Sequence, residues 1–133
     1  MINFLIDTSV WIEALKKNGS DKAKERVKKC IDEESAVITG VIMMELLGGT
    51  ITKKKYDDLK LDLDTLEYLE SSKDVWDKAS EISFELKRKG VNVPGTDIFI
   101  AAISIAYDCV LIHMDKHFEL IGKYTELKHI KLE

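Results

Sequence analysis

The chain opens with a nearly continuous apolar run that stops at a carboxylate. The run contains Ile2, Phe4, Leu5 and Ile6, and Asp7 follows it directly. An uninterrupted run of bulky residues is typical of a strand that is buried on both faces of a parallel sheet. The pattern therefore predicts a strand in the middle of such a sheet, with Asp7 at its carboxyl end.

A helical stripe begins immediately after Asp7. Apolar residues within positions 10–15 recur at the spacing of one helix face, and Thr8 or Ser9 can cap the N-terminus of this helix. In open α/β sheets, ligands bind at the carboxyl ends of the strands. Asp7 is therefore predicted to lie at the ligand-binding edge of the sheet.

Strand-like and helix-like segments alternate along the rest of the chain. Further strands are predicted at residues 36–39, 66–70, 110–113 and 129–132. Helices are predicted over residues 20–33, 41–47, 53–63, 72–89, 98–107 and 116–121, with Trp76 in the core-facing stripe of the longest one. This alternation indicates one α/β domain that spans residues 1–133 around a mostly parallel sheet.

Three more carboxylates occupy positions comparable to that of Asp7. Asp115 follows the strand predicted at residues 110–113. Thr96 is a natural N-cap, which places Asp97 in the first turn of a helix. Glu45 interrupts an apolar helical segment, where a carboxylate is costly to bury unless it is paired or bound to a cation.

These four carboxylates can converge, because a right-handed βαβ connection brings strand ends and helix starts to one sheet edge. Each also has a simpler explanation: Asp7 and Asp97 as helix caps, Glu45 as a surface residue, Asp115 as a turn former. Convergence would raise the pKa of at least one carboxyl group and would favour a hard cation with oxygen ligands, Mg²⁺ or Mn²⁺. Such a cation neutralises phosphate charge and activates water, which suffices to hydrolyse a phosphodiester.

The other residues with reactive side chains change this picture little. His113, His117 and His129 do not have the spacing of a zinc site. We expect them at the surface or in structural roles, although His117 could approach a substrate near the acidic positions. Cys30 and Cys109 are expected to be buried thiols.

The charge balance limits how the chain can meet a nucleic acid. A formal net charge of −4, from 20 Lys and Arg against 24 Asp and Glu, argues against simple charge-driven binding to a phosphate backbone. The basic runs at residues 53–55 and 87–89 are local candidates for phosphate contact, or else solvated helix faces. No apolar run approaches the roughly 20 residues that cross a bilayer, so the cytoplasm is the expected location.

Four sequence blocks in a fixed order carry a family resemblance. They are DTSVW at residues 7–11, the segment 41–47 around Glu45, VPGTDIFIAA at residues 93–102 and DKHF at residues 115–118. Together they resemble the PIN domain family, most closely the VapC-type toxin ribonucleases of toxin–antitoxin pairs. Gly95 departs from the pattern, because relatives often carry a different small residue or an acidic residue there, and this leaves the shape of the loop open.

The resemblance implies a three-layer α/β/α sandwich with a mostly parallel central sheet. It also implies Mg²⁺- or Mn²⁺-dependent cleavage of RNA by a homodimer that a cognate antitoxin silences. The family's acidic positions match Asp7, Glu45, Asp97 and Asp115. The hydroxyl of Thr8 or Ser9 matches a position that helps to order the site in the family.

Two other functional classes stay open at this point. A non-catalytic PIN-like module that binds RNA or serves as a scaffold would be expected to have lost acidic positions, and all four are present here. A phosphoacceptor receiver domain would need adjacent acidic residues after the first strand, which Asp7 and Thr8 do not provide.

An apolar surface near the site is a further expectation. A domain of this size is not expected to bury every large apolar residue of this region. The residues concerned are Trp11, Ile12, Leu46 and Leu47. They predict either a groove that takes a helix or strand of the antitoxin, or a part of the core.

Overall fold

Five short strands and seven helices alternate along the chain in the computed structural model, which describes residues 1–133. The strands are β1 (Phe4–Ile6), β2 (Ala36–Thr39), β3 (Glu67–Leu69), β4 (Val110–His113) and β5 (His129–Lys131). The helices are α1 (Thr8–Leu15), α2 (Asp21–Asp32), α3 (Gly40–Gly48), α4 (Lys53–Leu63), α5 (Lys73–Arg88), α6 (Gly95–Ala106) and α7 (Lys116–Tyr124). All five predicted strands and all seven predicted helices are therefore present.

The five strands form one sheet in the order β3-β2-β1-β4-β5, and every neighbouring pair is parallel. β1 lies at the centre, where Leu5 and Ile6 are fully buried, as their apolar run predicts. Helices contact one another in two groups, α1 with α2 and α3, and α6 with α5 and α7. The predicted three-layer sandwich around a parallel sheet is thus confirmed.

One cluster of 31 buried apolar residues forms the core. It includes the run from Ile98 to Ile103 in α6, which the sheet and α5 cover from both sides. Cys30 and Cys109 are buried free thiols, as predicted. None of the seven helices combines the length and the apolar composition that a membrane span requires.

Two predicted helix caps are wrong. Neither Thr8 nor Ser9 caps α1; the N-cap is Asp7, as the simpler explanation of that residue has it, and its carboxylate accepts the backbone N–H of Ser9. α6 begins at Gly95, two residues earlier than a Thr96 cap allows, with Pro94 in the N-cap position. Asp97 nevertheless lies in the first turn of α6, as predicted.

Trp76 is not the core residue that its helical pattern predicts. Its surface is 52% exposed, while Val75, Ala79 and Ile82 carry the buried face of α5. Successive helix residues point about 100° apart, so Trp76 lies at the margin of that buried face. Its ring leans on Phe99 of α6 with a centroid separation of 4.6 Å.

Candidate active site

Two of the four predicted carboxylates follow parallel strands, and the other two lie on helices. Asp7 comes directly after β1 and Asp115 two residues after β4. Glu45 lies on α3, which follows β2 without a loop, and Asp97 lies in the first turn of α6. Because all strands are parallel, the ends of β1, β2 and β4 meet at one edge of the sheet.

Asp7 is held by the residue that lies two positions after it. The backbone N–H and the hydroxyl of Ser9 both donate to Oδ2 of Asp7, at 3.0 and 2.6 Å. The same hydroxyl accepts the backbone N–H of Met114 at 3.2 Å. Ser9 therefore ties the end of β1 to the segment that leads from β4 to Asp115.

Glu45 is held by a hydroxyl from a different element. Oγ1 of Thr8 donates to Oε1 of Glu45 at 2.6 Å, across 37 residues of sequence. Glu45 is exposed, because Leu46 and Leu47 carry the buried face of this part of α3. Glu45 therefore lies on the exposed face of an otherwise apolar helix, where it contacts the start of α1.

Asp97, Asp115 and His117 form the tightest polar group of the site. Nδ1 of His117 lies 3.0 Å from Oδ2 of Asp97 and 3.3 Å from Oδ1 of Asp115. Their possible ligand atoms all lie within 4.8 Å of one another. Asp115 caps α7 by accepting the backbone N–H of His117 at 2.9 Å, which fixes the start of that helix beside the first turn of α6.

Sequence reasoning gave His117 only a loose role near the substrate. The signal that could have found it is local, because a capping aspartate brings the residue two positions later against its own carboxylate. The Asp115 to His117 spacing meets that condition. The local pattern does not predict the contact with Asp97, which lies 20 residues away in the sequence.

His113 and His129 lie behind Asp115 and have the structural role that the sequence predicts. His113 is fully buried, and its Nδ1 accepts the backbone N–H of Asp115 at 3.2 Å. Burial lowers the pKa of His113 to about 4, with His129 adding to the effect, so the ring is neutral at pH 7. Its proton therefore lies on Nε2, which faces Nδ1 of His129 at 2.9 Å.

The electrostatics of the site favour a cation. Burial raises the pKa of Asp7 above its ordinary value, Ser9 opposes this by hydrogen bonding, and the charge of Glu45 adds a small further rise. Burial also raises the pKa of Asp97, and the charges of Asp115 and Asp7 add to it, whereas His117 lowers it. The predicted rise is therefore present, although burial contributes more to it than repulsion does.

The donor atoms present fit a hard divalent cation. Each carboxylate uses one oxygen for hydrogen bonds and leaves the other without a partner. The free oxygens are Oδ1 of Asp7, Oε2 of Glu45, Oδ1 of Asp97 and Oδ2 of Asp115. Carboxylate oxygens are the ligands that Mg²⁺ and Mn²⁺ prefer. Asp7 and Glu45 lie outside the compact group of Asp97, Asp115 and His117, so any contact with the same cation is at longer range.

Thr96 differs from the other two predicted supporting residues. Thr8 and Ser9 each hold a carboxylate, whereas Thr96 is exposed and its hydroxyl makes no hydrogen bond. Its position inside the first turn of α6 explains this, since a capping hydroxyl must lie one residue before the helix. Any contribution of Thr96 to the site stays a prediction.

Known proteins resemble this chain over nearly its whole length. The family model of the PIN domain matches residues 4–124. A VapC ribonuclease of Mycobacterium bovis is 31% identical over 128 residues, which cover 93% of this chain and 95% of that protein. Ribonuclease VapC11 of Mycobacterium tuberculosis is similar to the same extent.

Solved structures share the fold at lower sequence identity. A chain of VapBC2 from Rickettsia felis, bound to a promoter DNA fragment, superposes with a TM-score of 0.82 at 20% identity and covers both chains completely. A chain of DNA-bound VapBC from Salmonella typhimurium gives a TM-score of 0.81 at 23% identity over 98% of each chain. With the fold, the family model and the mycobacterial relatives in agreement, the chain belongs to the PIN domain family.

Proposed function

We propose that the protein is a divalent-metal-dependent endoribonuclease and the toxin of a toxin–antitoxin pair. The residues that carry the activity are Asp7, Glu45, Asp97 and Asp115. The observation on which the proposal rests is the arrangement of these carboxylates, each with one free oxygen, at one edge of a PIN domain sheet. The names of the mycobacterial relatives support the assignment of RNA as substrate.

The chain's own groups prepare the site for this reaction. Asp97 and Asp115 would hold the cation, Mg²⁺ or Mn²⁺, which when bound neutralises charge at the scissile phosphate and makes the attacking water more acidic. Ser9 directs its hydrogen bonds to one oxygen of Asp7 and leaves the other free. Thr8 does the same for Glu45. The second oxygen of Asp7 and that of Glu45 therefore remain available to orient a water molecule.

Contact with the RNA backbone depends on few basic groups. Lys53 and Lys54 form ion pairs with acidic residues one turn further along α4, and Lys89 lies 3.8 Å from Glu85 on α5. Both runs that the sequence offered are thus partly neutralised. Lys116 follows Asp115, is exposed and forms no ion pair, so we assign the phosphate contact nearest the site to it.

A non-catalytic RNA-binding or scaffolding module is the alternative function. Such a module has no need for hydroxyl groups that hold carboxylates in place, and a degenerate site would be expected to lack them. Here Thr8 and Ser9 both make short hydrogen bonds to acidic side chains. Catalysis is the better supported function for that reason.

Incubation of the purified protein with structured and unstructured RNAs tests the activity. We expect cleavage with Mg²⁺ or Mn²⁺, none with EDTA, and products that carry a 5′-phosphate. Equal cleavage in EDTA would contradict metal dependence. Binding of RNA without cleavage under every metal condition would favour the non-catalytic module.

An apolar groove beside the site is the proposed antitoxin surface. One cavity of about 440 Å³ lies between α1, α2 and α4, and a second continues from it to α3 and Glu45. Leu15, Leu59 and Asp62 line both, so the two form one groove. Trp11 lines its inner end, and the buried Nε1 of this residue has no hydrogen-bond partner. A bound antitoxin segment would cover the apolar lining of this groove and reach the acidic edge at Glu45.

Only part of the apolar surface predicted from sequence belongs to this groove. Trp11 lines the first cavity, while Ile12 and Leu46 line the second. Ile12 is 43% exposed and Leu46 is buried. Leu47 belongs to the core and to neither cavity. The solved neighbours include a toxin–antitoxin complex, which supports the same kind of partner for this chain.

A charge placed in the groove tests this partner. Leu15→Glu introduces a carboxylate at a side chain that is 53% exposed and lines both cavities, and we expect it to weaken antitoxin binding at least about tenfold. Leu61→Glu is the matched control, because Leu61 is 70% exposed on α4 and lines neither cavity. The antitoxin to use is the product of the small reading frame expected directly upstream of this gene. Equal binding by both variants would exclude the groove.

The homodimer and the cytoplasmic location complete the proposal. Trp76 and Phe84 are both more than half exposed on α5, and such aromatic surface supports a contact with a second copy. Sedimentation of the parent as a dimer and of Phe84→Glu as a monomer is the expected result. The two free, buried thiols suit the reducing cytoplasm.

A further inference from the structure

The imidazole of His117 lies between two carboxylates that the proposed function assigns to metal binding. Its Nδ1 is 3.0 Å from Oδ2 of Asp97 and 3.3 Å from Oδ1 of Asp115. The ring belongs to a group of three side chains, with Asp97 and Asp115, whose possible ligand atoms all lie within 4.8 Å of one another. His113 contacts Asp115 only through the backbone N–H of that residue, at 3.2 Å.

The separations match the ligand spacing of an octahedral cation. A cation with ligands at about 2.1 Å separates adjacent ligand atoms by about 3.0 Å and opposite ones by about 4.2 Å. The two distances from Nδ1, 3.0 and 3.3 Å, are close to the separation of adjacent ligands. All possible ligand atoms of the group lie within 4.8 Å of one another, which leaves room for a pair of opposite ligands. A single ion can therefore contact all three side chains with small movements.

The start of α7 places the His117 ring beside Asp97 and Asp115. The N–H of His117 donates to Oδ1 of Asp115, and α7 begins at Lys116, so the ring leaves the first turn of the helix beside its capping carboxylate. A carboxylate oxygen has more than one lone pair, and Oδ1 can accept this bond and still coordinate an ion. The side chain of His117 is 30% exposed, which leaves a path for an ion to enter.

We infer that Nδ1 of His117 is a direct metal ligand together with Asp97 and Asp115, and that this site therefore selects Mn²⁺ over Mg²⁺. The inference rests on the proposed metal-dependent function and specifies the ion that serves it. Both ions accept carboxylate oxygens, but Mn²⁺ belongs to the first-row transition series, whose members also bind nitrogen ligands, whereas Mg²⁺ keeps oxygen ligands and water. The competing arrangement is a ring that only donates a hydrogen bond to the carboxylates and is displaced when an ion binds.

Pulsed electron paramagnetic resonance on the Mn²⁺-loaded protein distinguishes the two arrangements. The measurement is made without RNA, at one fixed pH above the ordinary histidine pKa of about 6.5. A coordinated imidazole should give a ¹⁴N coupling to Mn²⁺. His117→Asn should abolish it, because asparagine can place a carbonyl oxygen near the former position of Nδ1. His129→Asn, which removes an imidazole outside the group, should leave the coupling intact.

Calorimetric titration of the same proteins gives a second readout. His117→Asn should lower the affinity for Mn²⁺ by about tenfold or more, the range seen when a metal site loses a supporting group. Its affinity for Mg²⁺ should change much less, because an oxygen ligand replaces the nitrogen. The ratio of the two affinities is thus the quantity that the inference predicts.

The outcomes separate this inference from the proposed function. Bound Mn²⁺ with no ¹⁴N coupling, in a protein that cleaves RNA with metal, would refute the ligand role of His117 and leave the ribonuclease assignment standing. An unchanged ratio of Mn²⁺ to Mg²⁺ affinity in His117→Asn would refute the selectivity. Failure of the parent to bind either cation would overturn both the inference and the proposed function.

Discussion

The two halves of the acidic site are held in different ways. In the half next to β1, Asp7 and Glu45 each accept a hydrogen bond of 2.6 Å from a hydroxyl, that of Ser9 or Thr8. In the other half, Asp97 and Asp115 share the single imidazole of His117 and receive no hydroxyl. The first half is therefore built by fixed neutral donors, and the second by a group that can exchange partners.

Burial separates Asp7 from the other three carboxylates, because Glu45 is exposed and Asp97 and Asp115 are half-buried. Asp7 is 6% exposed and is the cap of α1, so its position is set by the strand and the helix together. Asp97 and Asp115 are more accessible, and Asp97 is held by no donor other than His117. The half next to β1 is therefore preorganised before any ion arrives. In the other half, Asp97 and Asp115 are held by the group that lies between them, either the imidazole of His117 or an ion.

Neutralising one carboxylate in each half gives the largest expected effect. We expect Asp7→Asn and Asp97→Asn each to reduce the rate of RNA cleavage by about two orders of magnitude or more, as loss of a key electrostatic group often does. Circular dichroism should show that both variants remain folded. An Asp97→Asn protein that cleaves at the parental rate under matched Mg²⁺ or Mn²⁺ would remove the second half from the active site.

Removing the hydroxyl donors should have a smaller effect, confined to the first half. Ser9→Ala and Thr8→Val leave the carboxylates in place and delete the bonds that orient them, so a rate loss of about tenfold is expected. Thr8→Ser, which keeps a hydroxyl, should recover most of the activity. Thr96→Val is the matched control, because the Thr96 hydroxyl bonds nothing. An equal loss in Thr96→Val would show that these hydroxyls do not act through the carboxylates.

The order of the elements and the positions of the carboxylates could be predicted from the sequence. The apolar run before Asp7 identifies the central strand, since only a strand covered on both faces needs such a run. The spacing of the four sequence blocks identified the PIN domain, and the family-model match over residues 4–124 confirms it. Both signals are local or depend only on order along the chain.

The features that the sequence did not predict depend on contacts between distant segments. Trp76 has the helical spacing of a core residue, but the packing of α5 on α6 decides that it lies at the margin and rests on Phe99. Thr96 loses its capping role because α6 starts two residues early, at Gly95. His117 gains its place because α6 and α7 bring Asp97 to a ring 20 residues away. None of these three outcomes can be derived from periodicity.

The smallest expected effect is on stability and concerns Asp97. Burial and the charge of Asp115 raise its folded pKa, so the native state holds a proton more readily than the unfolded chain. The stability from this preference is present below the unfolded pKa of about 3.9 and is lost as pH rises through the folded value. At neutral pH the ionised group therefore opposes folding. Asp97→Asn removes that opposition and keeps a hydrogen-bonding partner for His117.

Thermal melts in EDTA should show Asp97→Asn a few degrees above the parent, which for a domain of this size corresponds to about 1 kcal/mol. The difference should shrink as pH falls through the raised folded pKa of Asp97, because the parent carboxylate then takes up a proton as well. Millimolar Mn²⁺ should reverse the order, since an ion that binds the folded parent more tightly stabilises it more. Glu81→Gln, at an exposed glutamate of α5 without an ion pair, should change neither melt. If Asp97→Asn instead melts below the parent in EDTA, the second half of the site owes its order to the ionised carboxylate itself, and the contrast with Asp7 and Glu45 disappears.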